Sequence, residues 1–339
     1  MELAASALAQ VSVGGTVSSS QSSAAPLVAV TGATGFIGRR LVPALTANGY
    51  RVRLLLRRDP AVPEWRTSRF EVVAGDLRDP AALGQLVEDA DAVIHLAGLI
   101  KAARRAEFFA INHGAAAQLA RITMERAPRA HFLLVSTIAA REPSLSDYAA
   151  SKRAGEDAVR EIARLRATVL RPTAVYGPGD RETLAFFQIA RHSRVPLLGR
   201  PDARATLIHV DDLVSLIVAL IGAEPTGAVL TAADARPLGY RWHEVFTAAA
   251  AAVGNRQPKL FHAPGALLRA VALCGDMGRG LGNANMLNSQ KLRELRHMDW
   301  SVSDPQLARA PGWSPRFKLE EGFADAVAWY RAAGWLPDR

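Results

Sequence analysis

The chain has 339 residues, 49% hydrophobic and 22% charged, enough to bury a sizeable core in one large or two modest domains. Its net charge of +9 is carried almost wholly by scattered arginines, with five lysines and no aromatic-interleaved basic stripe, which favours affinity for anionic ligands over a specific nucleic-acid partner. A single cysteine, Cys274, excludes a disulfide framework or cysteine-based metal site within one chain, and no apolar run reaches the length of a membrane span.

Residues 1–25 are rich in Ala, Ser, Gly and Val and carry no Lys or Arg, unlike a secretory leader; a dispensable flexible tail and a cytoplasmic location are expected. Leu27–Val30 is a short apolar run that reads as a buried strand. Thr31-Gly32-Ala33-Thr34-Gly35-Phe36-Ile37-Gly38 follows, and Phe36, Ile37, Leu41 and Leu45 then recur at helical spacing to Ala47. In this strand–turn–helix context Gly32 permits a tight turn and Gly35 lets a pyrophosphate reach the backbone. Gly38 lets the helix pack close to the sheet, and the open N–H groups at the helix start face the anion.

Further strands are expected at 51–57, 70–74, 91–96, 131–136 and 167–170. Helices are expected from Asp79, as N-cap, through Glu88, over 104–126 and over 147–165. This alternation defines an α/β, doubly wound parallel sheet with its ligand at the carboxyl ends of the strands. After Arg171 the alternation loosens, with helices at Asp211–Ile221, Trp242–Val253 and Gly265–Leu273, as in a smaller lobe covering the cleft. Asp211 and Asp212 are expected to cap the first of these, and Cys274 to be inert packing in the last. The stretch Gly265–Cys274 is apolar on most of its circumference. Core burial is its first reading, with a greasy pocket or a peripheral membrane contact as the others.

Tyr148 and Lys152 stand at i and i+4, so they share a helix face. A free phenol titrates near pH 10, and a neighbouring ammonium lowers that value, so Tyr148 can exchange a proton with a substrate oxygen. The hydroxyl of Thr137, at a strand's carboxyl end, can hydrogen-bond the same oxygen.

Glycine turn, Val135-Ser136-Thr137, Tyr148-x3-Lys152 and Arg171-Pro172-Thr173-Ala174-Val175-Tyr176-Gly177-Pro178, in that order, resemble the extended short-chain dehydrogenase/reductase superfamily (the NAD-dependent epimerase/dehydratase family). The likeness spans 27 to about 335 and includes Asp76-Leu77, Leu96-Ala97-Gly98, Asn112 and Leu207-Ile208-His209-Val210. It implies a Rossmann NAD(P)-binding domain over 26–172 and a substrate-binding lobe over 173–335, partly interleaved with the sheet. It implies Thr137, Tyr148 and Lys152 as the catalytic set, with Ser136 as a fallback for Thr137, and a site-shaping role for Asn112. The cofactor-binding set is then Gly32, Thr34, Gly35, Phe36, Ile37, Gly38, Arg57, Asp76, Leu77, Leu96, Ala97, Gly98, Tyr148 and Lys152. His95 is expected to be a packed strand histidine, and no spaced ligand set supports a metal.

The second strand ends Leu56-Arg57-Arg58, where an NAD-selective protein usually places an acid; Arg57, joined by Arg39, would pair with the 2′-phosphate of NADP, while Asp59 would still permit NAD. The expected activity is NAD(P)-dependent hydride transfer between nicotinamide and a carbonyl or secondary alcohol of a small-molecule substrate, in a homodimer. The alternatives are a nucleotide-sugar epimerase or dehydratase and a non-catalytic cofactor-binding protein. Nucleotide-sugar relatives commonly carry Arg-Asp just before the segment Leu207–Val210. Ala205-Thr206 stands here, with Arg204 one residue early.

Overall fold

The runs Leu27–Thr31 (β1), Arg51–Leu56 (β2), Glu71–Ala74 (β3), Ala92–His95 (β4), His131–Val135 (β5) and Ala167–Pro172 (β6) form one parallel sheet in the computed structural model, which describes residues 25–58, 62–280 and 287–338. The tail 1–24 and Asp59 lie outside the described residues. β1, β4 and β5 are buried along their whole length, because helices cover both faces. On one face lies Phe36–Ala47 (α1). On the other lie Pro80–Val87 (α2), capped by the Asp79 carboxylate, and the helices that precede and follow β5. β1 pairs with both β2 and β4, so the strand order reverses beside its carboxyl end, where such sheets open a ligand crevice.

The helix expected over 104–126 is broken by a wider turn. Arg105–Phe109 (α3) and Ala116–Arg126 (α4) flank a π-helical segment at Ala110–Ala115. The reading as one regular helix is corrected there, because Asn112 and its neighbours carry no sequence mark of the extra residue in the turn. Asp147–Arg160 (α5) ends short of the expected Leu165; the chain turns at Glu161, and Arg164 takes the left-handed conformation at φ 63° before β6.

The second half begins with Ala174–Tyr176 (β7), Leu184–Ala190 (α6), Arg194–Leu197 (β8), Arg204–Ala205 (β9) and Leu207–His209 (β10). Val210–Ile221 (α7) then packs on α1, and Val229–Ala232 (β11) pairs in parallel with β6 as the seventh strand of the central sheet. That strand was not foreseen; its four residues follow a loop with none of the flanking periodicity that marks the others. Tyr240–Arg241 (β12), Trp242–Val253 (α8), Lys259–His262 (β13), Gly265–Gly280 (α9), Ser289–Leu295 (α10) and Leu319–Ala332 (α11) complete the order.

The cap expected of Asp211 and Asp212 is corrected. The His209 side chain caps α7 by accepting from Asp211 N–H, while buried Asp212 accepts from the N–H groups of Arg316 and Phe317 at 3.0 Å each. The apolar stretch in α9 is only half core: Leu268 and Ala272 are buried against Leu292 of α10, whereas Cys274 is exposed rather than packed.

Candidate active site

The glycine turn is shaped by close approach. Gly32 has φ 76°, and a Cβ there would lie 2.5 Å from the Ala97 nitrogen at the end of β4. A Cβ on Gly38 would strike the carbonyl oxygens of Ala33 and Gly32, so this glycine serves the turn's own closure rather than the sheet contact expected of it. Gly35 is the N-cap of α1, without a side-chain cap or an acid in the first turn. The first N–H groups of α1, from Phe36 onward, have no side-chain cap and follow exposed Thr34 beside the strand-order reversal, which fits a dinucleotide pyrophosphate. Arg39 donates from Nε to the Thr34 carbonyl at 3.0 Å, which fastens it to the turn.

At the ends of β2 and β3, Arg57, Gly75, Asp76, Arg78 and Asp79 line an open groove of about 490 Å³. Arg78 donates to Asp76 at 2.9 Å and holds its carboxyl below the usual range, with Arg57 adding to that. Arg57 and Arg58 are exposed, and Leu77 is partly buried against the core beneath.

The Thr137 hydroxyl stands close enough to the Tyr148 phenol to favour its ionised form, and Tyr148 packs against Phe108, ring centroids 6.2 Å apart. Thr137 leads from β5 into a short turn whose Ala139 N–H it accepts. Lys152 is buried and donates from Nζ to the Val135 carbonyl at 2.8 Å; a Cβ on Gly98 would sit 3.7 Å from that nitrogen. The ammonium thus lies between the carboxyl ends of β4 and β5, beside the Leu96-Ala97-Gly98 segment. Ser136 is not an alternative to Thr137, because its hydroxyl donates to Glu156.

The electrostatics differ from the sequence expectation. Burial pushes the Tyr148 phenol up to about 12, against the pull of the neighbouring Thr137 hydroxyl and with help from the Glu294 carboxylate. Burial also lowers the Lys152 ammonium to about 8, which Glu156 opposes. Desolvation therefore outweighs the stabilisation of phenolate by ammonium that the i, i+4 spacing suggested. The Tyr148 phenol is therefore neutral at ordinary pH. His95 is buried, bonded through Nδ1 to Thr31 Oγ1 at 2.7 Å, and burial with the Lys152 charge lowers its pKa to about 3, so it is a neutral packed histidine.

Supports hold this set in place. Asn112 is buried in the π turn; Oδ1 accepts from Leu99 N–H at 2.8 Å, and Nδ2 donates to the Leu99 carbonyl at 2.9 Å and to Ser151 Oγ at 3.0 Å. One side chain therefore ties the β4 loop to α5. Glu156, almost fully buried, receives Arg171 Nε at 2.9 and 3.2 Å, which binds α5 to β6. At the start of α5, Ser146 caps the helix and donates to Glu294 of α10, and Gln290 accepts from Asp147 N–H at 2.9 Å.

Sequence reasoning did not single out Ser146, Ser151, Glu156 or Glu294. A signal existed for one: Ala149, Lys152, Glu156 and Val159 repeat at helical spacing, so Glu156 falls on the buried face of α5 with Lys152. Among the described residues no group of three His, Cys, Asp or Glu side chains is placed to hold a metal.

The seven-stranded parallel sheet, its glycine turn and the Tyr-x3-Lys helix together define an extended short-chain dehydrogenase/reductase fold. The sequence profile of the NAD dependent epimerase/dehydratase family matches residues 28–231, and the chain belongs to that family. A ceramide reductase of Caulobacter vibrioides is 46% identical over 92% of this chain and 96% of its own length. Sterol demethylase protein B of Methylococcus capsulatus is 26% identical over 91% and 99%. Among solved structures, MoeE5 in complex with UDP-glucuronic acid and NAD superposes with a TM-score of 0.67 at 22% identity, covering 91% of this chain and 99% of that one.

Proposed function

We propose that the chain is a nicotinamide-dependent reductase of a ketone on a long-chain lipid of the ceramide class, with NADPH as the preferred cofactor. The observation that carries this reading is the Lys152 ammonium anchored on the Val135 carbonyl at the end of β5, on the helix that brings the Tyr148 phenol beside the Thr137 hydroxyl. A neutral phenol is the state a carbonyl reduction requires. The 46% identity to a protein named for ceramide reduction supports the lipid class. An amide resists hydride addition, so the reducible group would be a ketone on that scaffold.

A bound nicotinamide supplies the hydride to the carbonyl carbon. Thr137 orients the carbonyl oxygen through its hydroxyl. Tyr148 gives that oxygen its proton as the C=O becomes CH–OH, and takes a proton back from solvent afterwards. Lys152 supports the transient phenolate and offers its N–H groups to the ribose. Residues 173–335 would supply most of the substrate pocket. Arg57, exposed over the groove at the end of β2, supports a 2′-phosphate there.

A second reading, a nucleotide-sugar enzyme, rests on a groove of about 450 Å³ lined by Pro201, Arg204, Arg236, Arg241, His243 and Glu244, which would suit a diphosphate. Against it, Arg236 is paired with Glu244 at 2.8 Å, and Thr206 donates to the Trp300 carbonyl at 2.7 Å. Oxidation of NADPH and NADH should be followed with a short-chain 3-keto-ceramide and, separately, with UDP- and dTDP-sugars. Turnover is expected with the keto lipid, faster with NADPH, and Arg57→Ala should narrow that preference. Tyr148→Phe should cut kcat by roughly 10²–10⁴ with cofactor affinity little changed. Turnover of the sugars alone, or wild-type rates from Tyr148→Phe, would overturn the reading.

A further inference from the structure

We propose that α9, with β13 before it, is a docking surface for an anionic lipid bilayer. This rests on the lipid-reductase reading above and adds to it how the enzyme would meet such a substrate.

The helix is apolar on two opposite sides. At about 100° per residue, Leu268, Ala272 and Gly275 lie on one side and are buried. Leu267, Val271, Leu273 and Met277, with Ala270 and Cys274 between them, span an arc of about 160° on the other. Those four large side chains are 57, 46, 59 and 73% exposed, and Phe261 in β13 is 44% exposed. Apolar side chains scattered singly on a surface need no explanation, but a continuous arc of this kind marks a contact.

The charge around it selects the partner. Residues 183–201 and 245–275 contain no Asp or Glu and six Lys or Arg: Arg191, Arg194, Arg200, Arg256, Lys259 and Arg269. β8 and β13 bring these two stretches together, Lys259 beside Arg194, and Arg194 lies over the Phe261 ring at 6.0 Å. An apolar helix face flanked by these bases, with Asp276 the one acid of α9 and engaged in accepting from Ser289 N–H, matches an anionic membrane surface, where each basic residue strengthens binding by about fivefold. The helix is too short and too interrupted to cross the bilayer.

The face is also close to the chemistry. α9 packs on α10 through Leu268, Ala272 and Leu292, and α10 holds Ser146 and Asp147 at the start of the helix that carries Tyr148. A helix seated in the headgroup layer would stand one element away from the acid that reduces a membrane lipid.

Flotation of the purified chain with phosphatidylcholine vesicles, with and without phosphatidylglycerol, tests this. Co-flotation is expected with the anionic vesicles and is expected to weaken at high salt. Leu267→Glu/Val271→Glu and, separately, Lys259→Glu/Arg269→Glu should each lower the bound fraction about tenfold or more. Their melting temperatures and NADPH titrations should stay at wild-type values, because these side chains are exposed. Failure of the wild-type chain to float, or flotation that both double variants retain, would overturn the proposal. So would dissociation of a dimer by Leu267→Glu/Val271→Glu without any vesicle binding, which would give the face to a second copy. Binding seen only after removal of residues 1–24 would give it to that tail. Flotation needs no substrate, so its failure with reductase activity intact would remove the docking surface alone; flotation by a chain that reduces no keto lipid would remove the function alone.

Discussion

Tyr148 and Lys152 are moved by the same cause, burial, in directions that both favour the neutral form: the phenol up to about 12 and the ammonium down to about 8. Between those values the cofactor-free protein carries no charge on either. Lys152 loses its proton first, and with it the charge proposed to support ribose binding. Cofactor affinity should therefore fall as pH rises through about 8, and Lys152→Met should bind weakly with a flat profile; fluorescence titration between pH 7 and 9.5 measures both. A profile that falls equally in Lys152→Met would assign the titration elsewhere. The stability linkage has its own sign. Lys152 binds fewer protons folded than unfolded between about 8 and its ordinary value, so its burial penalty is relieved as pH climbs through that window. His95, lowered to about 3, and His131, lowered to about 4, keep the folded chain from taking up protons that the unfolded chain accepts, so stability is lost as pH falls from about 6.5 toward those values.

Among the elements, α5 carries Tyr148 and Lys152, the proposed acid and its support, together with their anchorage. Glu156 and Arg171 form a bidentate pair with side-chain exposures of 1% and 13%. Glu156→Gln removes the counter-charge from a largely buried guanidinium, and should destabilise the fold by about 3–5 kcal/mol. Urea unfolding measures it, and adding Arg171→Gln should recover part of the loss, giving a coupling term in a double-mutant cycle. Additive losses would mean that the two charges do not depend on each other. This pair also shows where sequence reading stops. Tyr148-x3-Lys152 and the glycine turn were legible because their meaning lies in local spacing. The Arg-Pro segment after β6 was legible as a resemblance, but its task, holding α5 through Glu156, emerges only when β6 lies beside the helix. Ser146 meets Glu294 across 148 positions, and no local pattern encodes that. The π turn at Asn112 escaped because a helical period and a locally widened one look alike over six residues.

At the scale of the molecule, the alternation of strands and helices up to Arg171 gave the parallel sheet, and the ordering of motifs placed the crevice. The seventh strand was not legible, since Val229–Ala232 is short and follows Gly227, at φ 67°, in a loop. Yet β11 closes the edge of β6, and α7 covers α1. A fragment of residues 25–172 should therefore show no cooperative thermal transition by circular dichroism, whereas 25–233 should show one; cooperative melting of the shorter fragment would contradict this. The late strand has a consequence for biosynthesis. A chain leaves the ribosome from its N-terminus, and the roughly sixty residues between Pro172 and Ala232 take about 3–12 s to follow. Throughout that interval β6 presents a bare hydrogen-bonding edge, and α1 an uncovered greasy flank, to every other nascent chain nearby. The central sheet is begun first and completed only when Ala232 has emerged, which makes this interval a moment at which the protein most needs a chaperone.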